Sequence, residues 1–216
     1  MQNVEELQQY VDSLTKELVL TSQTVVAAPG CLPAPCFPEI IMKVLGVVTE
    51  HEWEDLTDRA RNYLKWITVK AEAIDELAPR PMHTTTRGFE LLAIDRDGNS
   101  FGEIVERSQE LGIPSVLVRF ASLIATFLTV RLLRQQMERD REVMPSLTFS
   151  QNVDANYLNY PRTLKTLLEL FPEYKEMFYF EINEEITEDY LTTIRALAGD
   201  LGIRLALDDT NKMNIN

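Results

Sequence analysis

Apolar positions in the first part of the chain recur at intervals of three and four. Val4, Leu7, Val11, Leu14 and Leu18 keep this spacing and predict a helix over 4–20. The seam is narrow, which suits an edge helix packed on its own domain and also a two-heptad contact with a second chain. Pro29, Gly30, Pro33, Pro35 and Pro38 then interrupt any helix and predict a loop. A short apolar helix is expected over 38–48. Thr49 followed by Glu52 forms a capping-box pattern. The helix it opens is expected over 52–77, with Trp53, Leu56, Ala60, Tyr63, Leu64, Ile67 and Ile74 on one face. Residues 1–78 therefore read as an all-helical region, and Pro79 and Pro81 mark a boundary to a second region over 79–216.

Past that boundary the rhythm alternates. A short apolar strand is expected over 89–94, closed by a turn over 95–99 whose Asp97-Gly98 pair is a strong turn signal. Helices are expected over 102–111, 115–139, 162–170 and 187–198, the last closed by Gly199 and Gly202. Strands are expected over 147–150, 177–182 and 203–207. Strands alternating with helices imply βα units and a parallel sheet.

Composition narrows the partners. The 216 residues, 45% of them hydrophobic, are enough for a sizeable folded core. The net charge of −13 repels nucleic acid and anionic lipid surfaces, so neither is expected as the main partner. A small phosphate ligand stays compatible, because a divalent cation reverses the sign inside a pocket. The N-terminus is polar and acidic and shows no secretory leader, and the apolar stretch over 116–133 is broken by Arg119 and Arg131. These features predict a cytoplasmic protein. Cys31 and Cys36 read as free thiols, and His51 and His83 as surface or capping residues.

Oxygen-bearing side chains mark the strand ends. Glu90 lies in the first strand, Asn152 just after the second, Glu181 near the end of the third, and Asp208 and Asp209 close the fourth. In a βα barrel, the C-terminal strand ends converge on one face, where active sites form. A set of oxygen ligands without His or Cys suits a hard cation such as Mg²⁺ or Mn²⁺. Any one of these residues alone would be an ordinary turn opener. Their recurrence over successive strands points to a site.

The same residues carry a resemblance. Gly88-Phe89-Glu90-Leu91-Leu92 resembles the signature of EAL domains, with Glu-Leu-Leu in place of Glu-Ala-Leu. The segment FGEIVERSQELGI from Phe101 is similar to that family's following helix. Asn152-Val153-Asp154 with Leu158 resembles its Asn-Leu-Ser segment. Phe180-Glu181-Ile182-Asn183-Glu184 resembles its Leu-Glu-Ile-Thr-Glu strand, and Ala206-Leu207-Asp208-Asp209 matches its Ala-Leu-Asp-Asp end. The resemblance implies a partial TIM-like (β/α) barrel of the EAL type and cyclic di-GMP as ligand. It implies Mg or Mn as cofactor, with Glu90, Asn152, Glu181, Asp208 and Asp209 as metal ligands and Glu184 in support. In active members two cations activate a water for attack on the phosphodiester, so catalytic roles are implied for Glu90 and Asp209.

Three departures temper that expectation. The family's arginine two residues after the signature is here Ile94, which cannot donate to a phosphate. The Asp-Asp-Phe-Gly-Thr-Gly loop is here Asp208-Asp209-Thr210-Asn211-Lys212-Met213, without its glycines. The sequence reaches Asn216 before the strands in which the family carries its catalytic lysine. Arg80-Pro81-Met82 is a candidate remnant of the family's upstream Gln-Pro-Ile strand, making a shortened hairpin to Glu90. About four of the eight βα units of a full barrel fit in this length. The open side would be covered by the N-terminal helices, by a second copy, or by further sequence. The reading is a degenerate EAL-like regulatory protein of bacterial cyclic di-GMP signalling that acts through a protein partner or homodimer, with residual binding of metal or nucleotide without hydrolysis. The alternatives are an active Mg/Mn-dependent phosphodiesterase and a purely structural βα domain.

Overall fold

The computed structural model describes residues 45–76, 85–140, 148–152, 157, 159–172, 177–182 and 188–207, together with Gln9, Asp12, Met42 and Lys43. The helix expected over 4–20, the proline-rich loop and most of the helix expected over 38–48 lie outside these residues, as do Arg80-Pro81-Met82, Glu184, Asp208 and Asp209. Among the described residues, no helix is long and apolar enough to cross a membrane.

The Thr49 capping box forms as its sequence predicts. Glu52 N–H donates to Thr49 Oγ1 at 3.2 Å and Thr49 N–H donates to Glu52 Oε2 at 2.7 Å. The helix it opens, α1 (Glu50–Asp55), is short. Thr57 caps a second helix, α2 (Asp58–Leu64), by accepting from Ala60 N–H at 3.1 Å. The continuous helix expected over 52–77 is therefore incorrect. After a turn at Lys65 and Trp66 the chain becomes a strand, β1 (Thr68–Glu76). Val69, Ala71 and Ala73 alternate there with Thr68, Lys70 and Glu72, a period of two, and the β-branched Thr68, Val69 and Ile74 favour extended backbone.

β1 pairs antiparallel with β2 (Thr85–Ile94), so the two strands flanking residues 78 and 79 belong to one sheet. Glu72 stands directly opposite Glu90 in this ladder. The described strand hairpinned to Glu90 is thus Thr68–Glu76; the Arg80-Pro81-Met82 segment lies outside the described residues. Helices α3 (Phe101–Glu110) and α4 (Ser115–Asp140) lead to β3 (Thr148–Asn152). Helix α5 (Pro161–Leu170) leads to β4 (Phe178–Ile182), and α6 (Glu188–Leu201) leads to β5 (Arg204–Leu207). The strands lie in the order β1-β2-β3-β4-β5, and the last four run parallel. Every crossover moves the same way along the sheet. With one crossover handedness, all its helices fall on one face, which is the winding of a βα barrel and not of a doubly wound sheet. The fold is α/β, a partial barrel.

That helix face is the core. Phe178, Phe180 and Ile182 of β4 and Leu91 and Ala93 of β2 are buried on it. Helix α4 fills the layer: every residue from Phe120 to Arg131 is buried, so over these turns the helix is enclosed on all sides and not amphipathic. Its Phe127 ring meets Phe178 at 5.5 Å and Phe171 at 5.4 Å between centroids. Arg131 is the charge in this layer. Its guanidinium donates to the Leu170 carbonyl at 2.6 Å at the end of α5, lies 4.3 Å from the Phe171 ring, and reaches Asp12 Oδ1 at 3.3 Å. A cation at a helix C-terminus, stacked on an aromatic face, is a favourable way to hold a buried charge.

Close approach of β2 and β3 depends on one glycine. A Cβ on Gly88 would lie 2.4 Å from the Thr148 carbonyl oxygen, its partner across the ladder. Gly88→Ala is expected to destabilise the protein by about 3 kcal/mol, the upper part of the range for overpacking, because backbone must move. Urea denaturation checks this, and an unchanged midpoint would refute it.

Candidate functional site

Parallel strands place paired residues on the same face, and residues two apart return to it. Glu90 pairs with Ser150, Asn152 lies two residues beyond Ser150, and Asn152 pairs with Glu181. Glu90, Asn152 and Glu181 therefore share the face opposite the helices. Glu90 and Glu181 are half-buried and Asn152 is exposed. Asn152 Nδ2 donates to Glu90 Oε1 at 3.0 Å, which orients the carboxylate. Asn152 is the last residue of β3, and so inside the strand that was expected to end just before it. Ala206 of β5 pairs with Glu181 and is on the same face. Asp208, two residues further, and Asp209 are outside the described residues.

The donor set suits a hard divalent cation in kind: carboxylate and amide oxygens with no thiol or imidazole. Among the described residues, no three His, Cys, Asp or Glu side chains gather into a metal-binding cluster. Glu90 and Glu181 supply two carboxylates and Asn152 an amide oxygen.

A cavity of about 300 Å³ lies beside this face, where β2 runs on past the end of its ladder with β3. Lys70, Glu72, Leu92, Ile94, Gln151 and Asn152 are among its walls. Ile94, which stands where the resembled family has arginine, lines it with hydrocarbon. Lys70 is the cationic side chain among the lining residues, and its ammonium is bonded to Glu72. Gln151 is buried at 4% exposure, and its Oε1 has no hydrogen-bond partner, a cost of about 1–3 kcal/mol. Tyr157 closes the cavity and donates its hydroxyl to the Arg119 carbonyl at 3.0 Å.

Lys70 and Glu72 were not among the residues expected at the site. Reading 52–77 as a helix hid them, and the signal that would have found them is the two-residue alternation from Thr68 onward.

The turn after β2 also shapes the cavity through Gly98 and Ser100. Its anchor is Asp95, at 3% exposure. Oδ1 accepts from the Asp97 and Asn99 N–H groups at 2.9 and 3.0 Å. Oδ2 accepts from Asn99 Nδ2 at 2.9 Å and from the Tyr63 hydroxyl at 3.1 Å. Burial opposes the charge, but the bonds from Asn99, Asp97 and Tyr63 outweigh it and hold the carboxyl below the usual carboxylate value. Burial first, and then the Asp95 carboxylate, push the Tyr63 phenol up. Gly98, at φ +83, closes the turn by donating to the Asp95 carbonyl at 3.1 Å.

No family model matches the sequence, and no curated protein is significantly similar to it. Solved structures with a similar outline include the S helix-GGDEF-EAL portion of Vibrio cholerae LapD bound to c-di-GMP. It is 14% identical, with a TM-score of 0.43 over 83% of this chain and 39% of that one. The apo form of the same protein gives 16% identity and a TM-score of 0.42 over 74% of this chain and 38% of that one. Klebsiella pneumoniae BlrP1 in its manganese/cyclic di-GMP complex at pH 9.0 is 15% identical, with a TM-score of 0.43 over 77% of this chain and 44% of that one. The chain thus spans about two fifths of the length of these structures.

The depressed Asp95 pKa has a fixed sign. A lowered carboxylate contributes stability that is fully present above its unfolded pKa, near 3.9, and is lost as pH falls through the lower folded value. Asp95→Ala is expected to lower stability near neutral pH by about 3 kcal/mol, because it strands the Tyr63 hydroxyl and the turn N–H groups. The difference between variant and parent should shrink at acid pH. Melting curves at successive pH values check this, and a difference that grows on acidification would refute it.

Proposed function

We propose that this chain is a regulatory or binding module of cyclic di-GMP signalling, built on an EAL-like metal face that is not equipped for turnover. One observation supports the reading above others. The oxygen ligands Glu90, Asn152 and Glu181 share one face, while the adjoining cavity offers phosphate an Ile94 side chain and a Lys70 already engaged by Glu72. A site kept for cation and ligand contact, but without a guanidinium clamp, suits capture better than phosphodiester cleavage.

Glu90, Asn152 and Glu181 would hold the Mg²⁺ or Mn²⁺, with Asp208 and Asp209 as the remaining proposed donors. A bound divalent ion supplies positive charge for the ligand phosphates and lowers the pKa of its water. Asn152 keeps Glu90 aimed, and Glu181 provides the second carboxylate of the face. Capture of a signalling nucleotide would then be read out through protein contacts.

A second reading, an active phosphodiesterase, is favoured by the alignment of Glu90 with Asn152. Unselected drift would be expected to separate such residues.

A thermal melt of the chain with Mn²⁺, with and without cyclic di-GMP, tests the proposal. At a hundred times the dissociation constant, one bound ion stabilises by about 2.7 kcal/mol, a rise of about 8 °C for a domain of this size. The rise should grow with nucleotide and vanish in Glu90→Ala. No shift under any metal would sink the metal face. Turnover of a simple aryl phosphodiester with Mn²⁺, abolished by Glu90→Ala, would replace the regulatory reading with the enzymatic one.

Ile94→Arg is expected to raise cyclic di-GMP affinity about tenfold, the lower end of what a charge-assisted hydrogen bond contributes. Calorimetric titration measures it, and an unchanged affinity would separate Ile94 from the ligand site.

A further inference from the structure

β1 is an edge of the sheet, with no strand on its outer side among the described residues. Its central residues Lys70, Ala71 and Glu72 are exposed. An exposed strand centre presents backbone donors and acceptors that pair readily with another strand. We propose that this edge pairs antiparallel with β1 of a second copy of the chain, about a two-fold axis at Ala71. The two five-stranded sheets then become one continuous sheet.

Charge complementarity on the strand selects a second copy as the occupant. When Ala71 faces Ala71, Lys70 of one chain stands opposite the partner's Glu72, and Glu72 opposite the partner's Lys70. Residues directly opposite in an antiparallel pair share a face, where opposite charges stabilise and like charges destabilise. Lys70 already holds Glu72 within its own chain, so pairing produces four charges of alternating sign. The neighbouring symmetric registers fail. An axis at Lys70 sets lysine against lysine, and an axis at Glu72 sets glutamate against glutamate. Registers displaced by one residue place outward-pointing backbone groups against inward-pointing ones. The backbone supplies the adhesion and the charges supply the register.

The sheet gives Glu72 a further reason to accept a partner's ammonium. Its neighbour on the inner side is Glu90, directly opposite in the β1–β2 ladder. A lysine arriving on the outer side offsets that like-charge contact. The helix layers of both copies stay on the same side, since a two-fold axis perpendicular to the sheet preserves its faces.

Sedimentation of the whole chain tests this proposal, which does not depend on the nucleotide reading. The parent should be a dimer that weakens with salt. Lys70→Glu and Glu72→Lys should each raise the dimer dissociation constant at least about tenfold, because each sets like charges opposite. Mixing the two variants should restore a dimer, since every facing pair is again opposite in sign. The doubly exchanged chain, Lys70→Glu with Glu72→Lys, should dimerise like the parent. A parent that is monomeric at its highest soluble concentration would overturn the proposal. So would single variants that dimerise as well as the parent, or a mixture that stays monomeric. Ala71→Cys in a chain with Cys31→Ser and Cys36→Ser gives a second measure. Facing Cα atoms about 4.5–5.5 Å apart permit a disulfide. An oxidised dimer linked at residue 71 is expected, and failure to crosslink would count against the register even if the charge variants misfold.

Discussion

Strand register is the constraint on which the rest of the molecule depends. Side chains alternate faces with a period of two, so a slip of one residue in β2, β3 or β4 would exchange the two sides of the sheet. Phe178, Phe180 and Ile182 would then meet solvent, and Glu181 would enter the aromatic layer against Phe127. Burying that carboxylate without a partner costs several kcal/mol, and exposing the aromatics forfeits their transfer energy. The core therefore sets the position of Glu90, Asn152 and Glu181 before any ligand does. Gly88 lets β2 and β3 approach closely at the start of their ladder, and the strands separate beyond Glu90 and Ser150, where the cavity opens.

The helix layer enforces this register from the other side. Helix α4 is enclosed over its central turns and cannot rotate without disrupting close packing on every side. Two of its polar groups are handled locally: Ser122 donates to the Val118 carbonyl at 2.9 Å, and Arg131 is held by the end of α5 and the Phe171 ring. Arg131 also reaches Asp12, which ties the beginning of the chain to the layer beneath β4. Because the strands follow one another in order, these helices all cover one face, and the polar strand residues of the other face are left for chemistry.

Much of this was legible from residue patterns. The four parallel strands, their intervening helices and the Thr49 cap follow from periodicity and turn residues, which act locally. The gathering of Glu90, Asn152 and Glu181 was legible because strand ends in βα units converge whatever the details of packing. What escaped was β1. Its apolar residues also satisfy a helical spacing when joined to those of α1 and α2, and Thr57, the cap that restarts the helix, looks like an interior polar residue in that frame. Only the antiparallel ladder with β2 decides between the periods, and that contact is nonlocal. Lys70 and Glu72 were missed for the same reason, and with them the polarity of the cavity wall.

The row of charges across β1 and β2 links the cavity to the sheet edge. Glu90 and Glu72 oppose each other with like sign, an unfavourable arrangement that persists because each has been given a donor. Asn152 serves Glu90, and Lys70 serves Glu72. Neither donor cancels the repulsion in full: an amide carries no net charge, and Lys70 is exposed, where water screens its attraction. Two further remedies would act on different residues. A divalent cation on the Glu90 and Glu181 side would neutralise the inner carboxylate, while a partner's lysine at the proposed edge contact would neutralise the outer one. Each remedy would relieve the repulsion that the other would relieve, so the proposed metal binding and strand pairing would compete for part of the same electrostatic gain. If both occur as proposed, the coupling between them would be weakly negative, and a cation at the site would loosen the edge contact without touching it.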